Sequence, residues 1–212
     1  MIGEIPTRLY EPSAATGLLL LGHGGGHSKD GLRFVGLARR YAEQTGLAVV
    51  CIDAVDHGER RPSGATAELP REWHSAAIDQ MVQDWGTTVG ALSSIGPPVA
   101  YVGFSMGAIF GLPTVAALPT VVRAVFVVGG IPGGDWIDDA PLRPLLEHAA
   151  AELGHVDVLM LNKTADDQFP VEDVQGLYDS MRARSKQLTF WPGRHDDWPD
   201  AMIDESVEFV NR

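Results

Sequence analysis

The sequence of 212 residues is poor in cysteine, in long apolar runs and in basic residues. Cys51 is its single cysteine, so no disulfide can form within the chain. No apolar run approaches the length of about 20 residues that a membrane-spanning helix needs. The N-terminal segment also lacks the basic start and apolar stretch of a secretory leader. These absences predict a cytoplasmic protein without a membrane span.

Basic residues are outnumbered, since 16 Lys and Arg stand against 28 Asp and Glu and give a formal net charge of −12 at pH 7. Nucleic acids and anionic membranes are bound through clusters of Lys and Arg, so this charge argues against both as partners. We interpret the charge as a source of solubility, with steering of a cationic substrate as the alternative. The sequence thus predicts a monomer or homodimer whose partner is a small molecule.

Six short runs rich in valine, isoleucine and leucine alternate with segments predicted to be helical. The runs cover residues 18–21, 48–52, 99–103, 124–128, 156–161 and 188–191. Helices are predicted at residues 34–41, 73–92, 142–153, 171–181 and 201–210, most clearly at 73–92, where apolar residues recur every three or four positions. This alternation is typical of an α/β fold with a doubly wound, mostly parallel sheet. The length suits one domain over residues 1–212 with little or no cap.

A G-x-S-x-G pattern follows the third run and is formed by Gly103, Phe104, Ser105, Met106 and Gly107. Such a pattern predicts a sharp turn from strand to helix that lifts the serine hydroxyl clear of the sheet, with glycines where a Cβ would clash. Backbone N–H groups at the helix N-terminus favour negative charge beside the serine. We predict that Ser105 is a nucleophile; a glycine-rich turn with a capping serine is the alternative.

A serine nucleophile needs an imidazole as its base and a carboxylate that orients the imidazole. His195 follows the last apolar run in a glycine-containing loop, and Asp166 follows the run before it. We predict these two as base and acid. His57 competes for the role of base because it too follows a strand, and Asp167 is the alternative acid.

Three consecutive glycines lie in residues 23–26, directly after the first run. Glycine N–H groups can approach the oxyanion of an acyl-transfer transition state without side-chain obstruction. We predict that the oxyanion hole consists of the N–H groups of Gly25 and Met106, with Gly24 as the alternative to Gly25. Lys29 lacks the Walker spacing and no G-x-G-x-x-G fits these glycines, so no nucleotide cofactor is expected.

The segments HGGG, GFSMG, ADDQFP and GRH together resemble the α/β-hydrolase superfamily. The short chain is similar to the dienelactone-hydrolase-like serine esterases within it, over about residue 18 to the C-terminus. The resemblance implies the α/β-hydrolase fold and a triad in the order serine, aspartate, histidine. The acid pattern of the family aligns Asp166 with its aspartate and Pro170 with its proline, while Lys163 stands at its glycine and Phe169 at its aliphatic position.

A second pattern of this family corresponds to residues 53–60, within the charged loop at residues 53–61. The resemblance implies that this loop braces the edge of the site and that His57 is structural. Dienelactone hydrolases proper have cysteine at the turn after the strand, where this chain has Ser105. Dienelactone itself is therefore not the expected substrate.

The predicted activity is that of a serine hydrolase, which cleaves a small carboxylic ester or similar acyl bond through an acyl-enzyme on Ser105. Thioesterase, acyltransferase and carbon–carbon bond hydrolase activity are alternatives on the same fold, as is a non-catalytic ligand-binding role. No metal is expected, because the glycines between the histidines at 23 and 27 disfavour a helix that would align them. Gly24, Phe104 and Trp136 are predicted to contact the substrate, Trp136 from the loop-like residues 129–144.

Overall fold

The computed structural model describes residues 1–63, 75–133 and 142–212. Within these ranges seven strands form one sheet with the order β1-β3-β2-β4-β5-β6-β7. The strands are β1 (Thr7–Tyr10), β2 (Leu18–Gly22), β3 (Ala48–Ile52), β4 (Val99–Phe104), β5 (Val121–Val127), β6 (Asp157–Lys163) and β7 (Ser185–Trp191). All neighbouring strands are parallel except β1, which pairs antiparallel with β3. The predicted doubly wound, mostly parallel α/β sheet is confirmed.

Helices cover both faces of the sheet. They are α1 (Leu32–Thr45), α2 (Ser75–Ala91), α3 (Met106–Ala117), α4 (Arg143–Ala151), α5 (Val171–Ser180) and α6 (Asp200–Val210). One core packs α2, α3, α4 and α5 against the sheet, and a second core packs α1 and α6 against its other face. The central strands β2, β3 and β4 are buried at every position, which explains why their sequences are continuously apolar.

The structure departs from the predicted elements at both edges of the sheet and at the interior strand β5, which begins three residues earlier than predicted. Strand β1 was not predicted, because a half-exposed edge strand carries polar residues and gives no apolar run. Strand β7, the other edge, begins three residues earlier than predicted, at the polar Ser185. Helix α2 is described from Ser75 onward, so the predicted start at residue 73 lies outside the described residues. None of the helices in the described part of the chain is long and apolar enough to cross a bilayer.

The carboxyl ends of the parallel strands meet at one edge of the sheet. Gly22 at the end of β2 lies beside Gly103 of β4, and Lys163 at the end of β6 lies beside Trp191 of β7. The segments that follow these strands carry all the polar motifs of the sequence. In open α/β sheets this edge is where ligands bind.

Candidate active site

Ser105 occupies a strained backbone turn between β4 and α3. Its φ is 52° and its ψ is −113°, a combination that L residues rarely adopt. Its N–H donates to the carbonyl oxygen of Val127 on the neighbouring strand at 2.9 Å, which holds the turn in place. Such strain costs on the order of 1–3 kcal/mol and persists only where the surrounding structure imposes it.

The glycines around Ser105 permit close packing of three backbone segments. A Cβ on Gly103 would collide with the carbonyl oxygen of Gly107, and a Cβ on Gly107 would collide with that of Gly22. The first turn of α3 therefore lies directly against the ends of β2 and β4. This contact explains the two glycines of the G-x-S-x-G pattern, and it places Ser105 beside the loop that follows β2.

Ser105, His195 and Asp166 form a continuous chain of hydrogen bonds. His195 Nε2 lies 2.9 Å from Ser105 Oγ, and His195 Nδ1 lies 2.9 Å from Asp166 Oδ2. An ionised carboxylate only accepts hydrogen bonds, so Nδ1–H donates to Asp166 and Nε2 is free to accept from the serine hydroxyl. The residues come from the ends of β4, β6 and β7, so only the folded sheet brings them together.

The two neighbouring aspartates after β6 have different surroundings. The Asp166 side chain is fully buried, and its Oδ1 accepts the N–H groups of Gln168 at 2.9 Å and Phe169 at 3.1 Å. The Asp167 side chain is 64% exposed and pairs with the exposed Arg194. The geometry thus favours Asp166 as the carboxylate that orients the imidazole.

Two aromatic residues that the sequence reasoning did not assign to the site hold His195. The Phe169 ring stacks on the imidazole with a centroid distance of 5.6 Å, and Trp198 Nε1 donates to the His195 carbonyl oxygen at 2.7 Å. The sequence gave only weak signals that Phe169 and Trp198 belong to the site. Phe169 stood at an aliphatic position of the family pattern, and Trp198 lay three residues after His195 in a segment with no motif of its own.

The loop after β2 lies beside Ser105. A Cβ on Gly24 would lie 3.7 Å from Ser105 Cβ, so Gly24 approaches the serine closely, and Gly25 is the next residue and is half-buried. Met106 is the first residue of α3, and the first N–H groups of a helix have no intrahelical acceptor. The segments that carry the predicted oxyanion donors thus flank Ser105.

His23 organises this loop from within. Its Nδ1–H donates to the Gly24 carbonyl oxygen at 2.9 Å, and its Nε2 accepts the Ala54 N–H at 3.0 Å. Burial lowers the pKa of His23 to about 4, so the ring stays neutral and keeps both hydrogen bonds at neutral pH. The imidazole therefore ties the loop after β2 to the segment after β3.

Lys29 ties the same two segments together by charge. Its ammonium pairs with three carboxylates, those of Asp30, Asp53 and Glu59. The backbone N–H of Lys29 also donates to Asp53 Oδ1 at 2.9 Å. Burial opposes the ammonium form, but the hydrogen bonds to these carboxylates raise the pKa of Lys29 above its usual value. Asp53 is fully buried and also accepts the Glu59 N–H, so this network is the framework of the charged loop at 53–61.

Lys29→Met is expected to lower the free energy of unfolding by about 3 kcal/mol, because it leaves the buried Asp53 carboxylate without its cation. The value lies at the low end for a broken buried pair, since Asp30 and Glu59 reach solvent. Urea denaturation measures the change. Arg184→Met, which removes an exposed pair with Asp157, is the control and should change stability little. Equal effects of the two substitutions would contradict this role for Lys29.

The sequence also gave Phe104, Trp136 and His57 as candidates for the site. The Phe104 side chain is fully buried and packs against Phe34 and Trp198, so it belongs to the core. Trp136 lies outside the described residues. His57, the competing base, donates its Nδ1–H to the Val55 carbonyl oxygen at 2.8 Å. The described residues contain no cluster of His, Cys, Asp and Glu that could hold a metal ion.

Chemically, the arrangement has the parts that acyl transfer requires. A hydroxyl faces an imidazole nitrogen that can take its proton, and a buried carboxylate can stabilise the resulting imidazolium. The loop after β2 and the N-terminus of α3 flank Ser105, and backbone N–H groups of such segments can stabilise an oxyanion. A polar cleft of about 500 Å³ opens beside His195, lined by Asp167, Arg194 and their neighbours.

Comparison with protein families gives a match over most of the chain. The model of a family described as "Alpha/beta hydrolase family" matches residues 18–205. Two curated relatives, protein phosphatase methylesterase 1 of Rattus norvegicus and of Mus musculus, are each 28% identical to this chain over 116 residues. The matched segment is 54% of this chain and only 28% of the length of those relatives.

Solved structures of similar fold include several esterases and lipases. A cold-adapted esterase from an Arctic intertidal metagenomic library aligns with a TM-score of 0.84 at 24% identity, over 98% of this chain and 87% of that one. The monoacylglycerol lipase of Paleococcus ferrophilus aligns with a TM-score of 0.76 at 15% identity, over 98% of each chain. Est1E from Butyrivibrio proteoclasticus, solved with ferulic acid bound, aligns with a TM-score of 0.71 at 12% identity, over 98% of this chain and 92% of that one.

Proposed function

Because the chain belongs to the alpha/beta hydrolase family, we propose that it is a serine hydrolase that cleaves small carboxylic esters. Ser105 is the nucleophile, His195 the general base and Asp166 the acid that orients it. The observation that carries the proposal is the hydrogen-bonded chain of 2.9 Å from Ser105 Oγ to His195 and of 2.9 Å from His195 to Asp166. The esterase and lipase structures with the same fold are consistent with it.

The first half of the proposed reaction forms an acyl-enzyme. His195 Nε2 takes the proton of Ser105 Oγ while Oγ attacks the ester carbonyl carbon, and the carbonyl electron pair moves onto oxygen. The N–H groups of Met106 and Gly25, with Gly24 as the alternative, stabilise this oxyanion. When the tetrahedral intermediate collapses, His195 gives its proton to the departing alkoxide, and the alcohol leaves.

The second half repeats these steps with water. His195 takes a proton from water, whose oxygen attacks the acyl carbon, and the collapse returns the proton to Ser105 Oγ and releases the carboxylic acid. Asp166 accepts the Nδ1–H throughout and stabilises the imidazolium of each half-reaction. No other reactant than ester and water is needed.

Labelling with a fluorophosphonate tests the mechanism most directly. The activated Ser105 Oγ should attack phosphorus and displace fluoride, and peptide mapping should then find the label on Ser105. Hydrolysis of p-nitrophenyl esters by the same preparation should be lost in proportion to labelling. A protein that hydrolyses these esters while its labelled residue lies elsewhere would contradict the proposal.

We expect kcat/KM for linear p-nitrophenyl esters to peak at acyl chains of about two to four carbons. Between β5 and β6 the described chain holds only α4, with nine residues, which packs against α3 and α5 as part of the helical layer. Little chain is left for a helical cap that would enclose a long acyl tunnel. Each buried methylene contributes about 0.8 kcal/mol, whereas carbons that reach water contribute nothing. A steady rise through octanoate would contradict this expectation.

A further inference from the structure

Lys163 is a fully buried cation at the last position of β6, close to the proposed triad. Its Nζ has no hydrogen-bond partner among the described residues. An ammonium that is removed from water without compensation destabilises a protein, so a chain seldom retains one that serves no purpose. A methionine of similar length would fill the same space at lower cost. The surroundings of the Lys163 ammonium therefore indicate its role.

The Lys163 ammonium lies against the backbone of Gly193, at the start of the loop that carries His195. A Cβ on Gly193 would come within 3.2 Å of both Lys163 Nζ and Lys163 Cε, and it would collide with Asp197 Oδ2 from the other side. Gly193 also has a φ of 115°, which favours glycine. The glycine thus leaves room between the buried ammonium of Lys163 and the carboxylate of the exposed Asp197, which lie too far apart for a direct ion pair.

This opening lies beneath the turn that presents the imidazole. The Asp197 N–H donates to the Arg194 carbonyl oxygen at 3.1 Å, which closes a turn with His195 at its second position. The Ala165 N–H donates to the Gly193 carbonyl oxygen at 3.0 Å, so the acid loop and the base loop are joined at the same point. An attraction between Asp197 and Lys163 would therefore also restrain the position of His195 relative to Asp166.

We propose that Lys163 is a positioning residue for His195, which acts through the electrostatic attraction between its ammonium and the Asp197 carboxylate across Gly193, without a direct ion pair. The inference rests on the proposed function, because it assigns Lys163 a role in keeping Nε2 within reach of Ser105 Oγ. It predicts an effect on turnover and not on substrate binding, since neither Lys163 nor Asp197 touches the hydrogen-bonded chain of the triad. Small displacements of a reacting group are known to cost up to about 100-fold in rate.

Lys163→Met, Asp197→Asn and the double variant form the test, and Asp79→Asn, which makes the same chemical change at an exposed carboxylate of α2, is the matched control. We expect each single variant to lower kcat for p-nitrophenyl butyrate by about tenfold or more with KM little changed. The double variant should be no slower than the slower single one, because both substitutions remove the same interaction. The melting temperature of Lys163→Met should be unchanged or higher, and the control should match the wild type.

Additive losses in the double variant would overturn the inference, since the Asp197 charge also acts on Arg33 and could affect the site by that route. A fall in melting temperature alongside the loss of kcat in Lys163→Met would assign the lysine to fold stability instead. If that variant does not fold, Asp197→Asn decides: lower kcat at an unchanged melting temperature supports the inference, and unchanged kcat overturns it.

Fluorophosphonate labelling separates this inference from the proposed function. A wild-type protein that is not labelled at Ser105 would overturn the proposed function, and this inference with it. A wild-type protein that is labelled, with Lys163→Met labelled at the same rate, would overturn the role of Lys163 alone.

Discussion

Ser105→Ala is expected to lower kcat for p-nitrophenyl butyrate by about 10⁴-fold or more and to abolish fluorophosphonate labelling. Without Oγ no acyl-enzyme can form, and only the oxyanion donors and substrate binding remain to accelerate direct attack by water. The fold should persist, because the turn is held by the packing of Gly103 and Gly107 and by the hydrogen bond from the Ser105 N–H to Val127.

Ser94→Ala is the matched control for this variant, because Ser94 is an exposed serine that precedes β4, whereas Ser105 follows the opposite end of that strand. It should retain wild-type kcat, labelling and circular dichroism. Esterase activity that survives undiminished in pure, folded Ser105→Ala protein would remove Ser105 from the mechanism. Loss of both activity and folding would require the isosteric Ser105→Cys, which keeps a nucleophile and should still accept an acyl group.

Asp166→Asn is expected to lower kcat by about 10⁴-fold, whereas Asp167→Asn should change it little. An asparagine at position 166 can donate to Nδ1 and so favours the tautomer that carries its proton on Nε2, which then cannot accept the serine proton. Asp167 is 64% exposed and its partner is Arg194, so its neutralisation changes only a surface ion pair.

Steady-state kinetics of the two variants at one pH, with circular dichroism as the check on folding, measure this contrast. Asp167→Asn is the internal control, because it alters the next residue by the same chemical change. Similar small effects of both substitutions would place the acid elsewhere. A large effect of Asp167→Asn alone would reverse the assignment that the geometry favours.

Much of the fold could be predicted because its signals are local. The continuous apolar runs of β2, β3 and β4 follow from burial on both faces, and each begins at the residue that the sequence predicted. The edge strands β1 and β7 are half-exposed, so their polar residues gave little or no signal. These segments are strands because each pairs with a neighbouring strand, and a short stretch of sequence does not contain that information.

The candidate site likewise has a part that the local sequence predicted and a part that depends on tertiary packing. The glycine pattern predicted Ser105 at a strand-to-helix turn. This prediction was possible because the turn itself requires the glycines: Ser105 has a φ of 52°, and a Cβ on the neighbouring glycines would collide with the backbone. The sequence predicted a substrate contact for Phe104, whereas the structure packs its ring against Phe34 and Trp198 in the core. Side-chain direction at such a turn depends on the helices packed behind it.

The sequence by itself determined the α/β layering, the order of the strands that carry the motifs and the serine at the turn after β4, because periodicity and glycine placement act over a few residues. Only the tertiary structure decided between Asp166 and Asp167 as the partner of His195, and only it brought Lys163 against Gly193 and Asp197. These relations depend on how the loops after β6 and β7 meet. Distances between segments that far apart in the chain are set by packing of the whole sheet, and no local pattern encodes them.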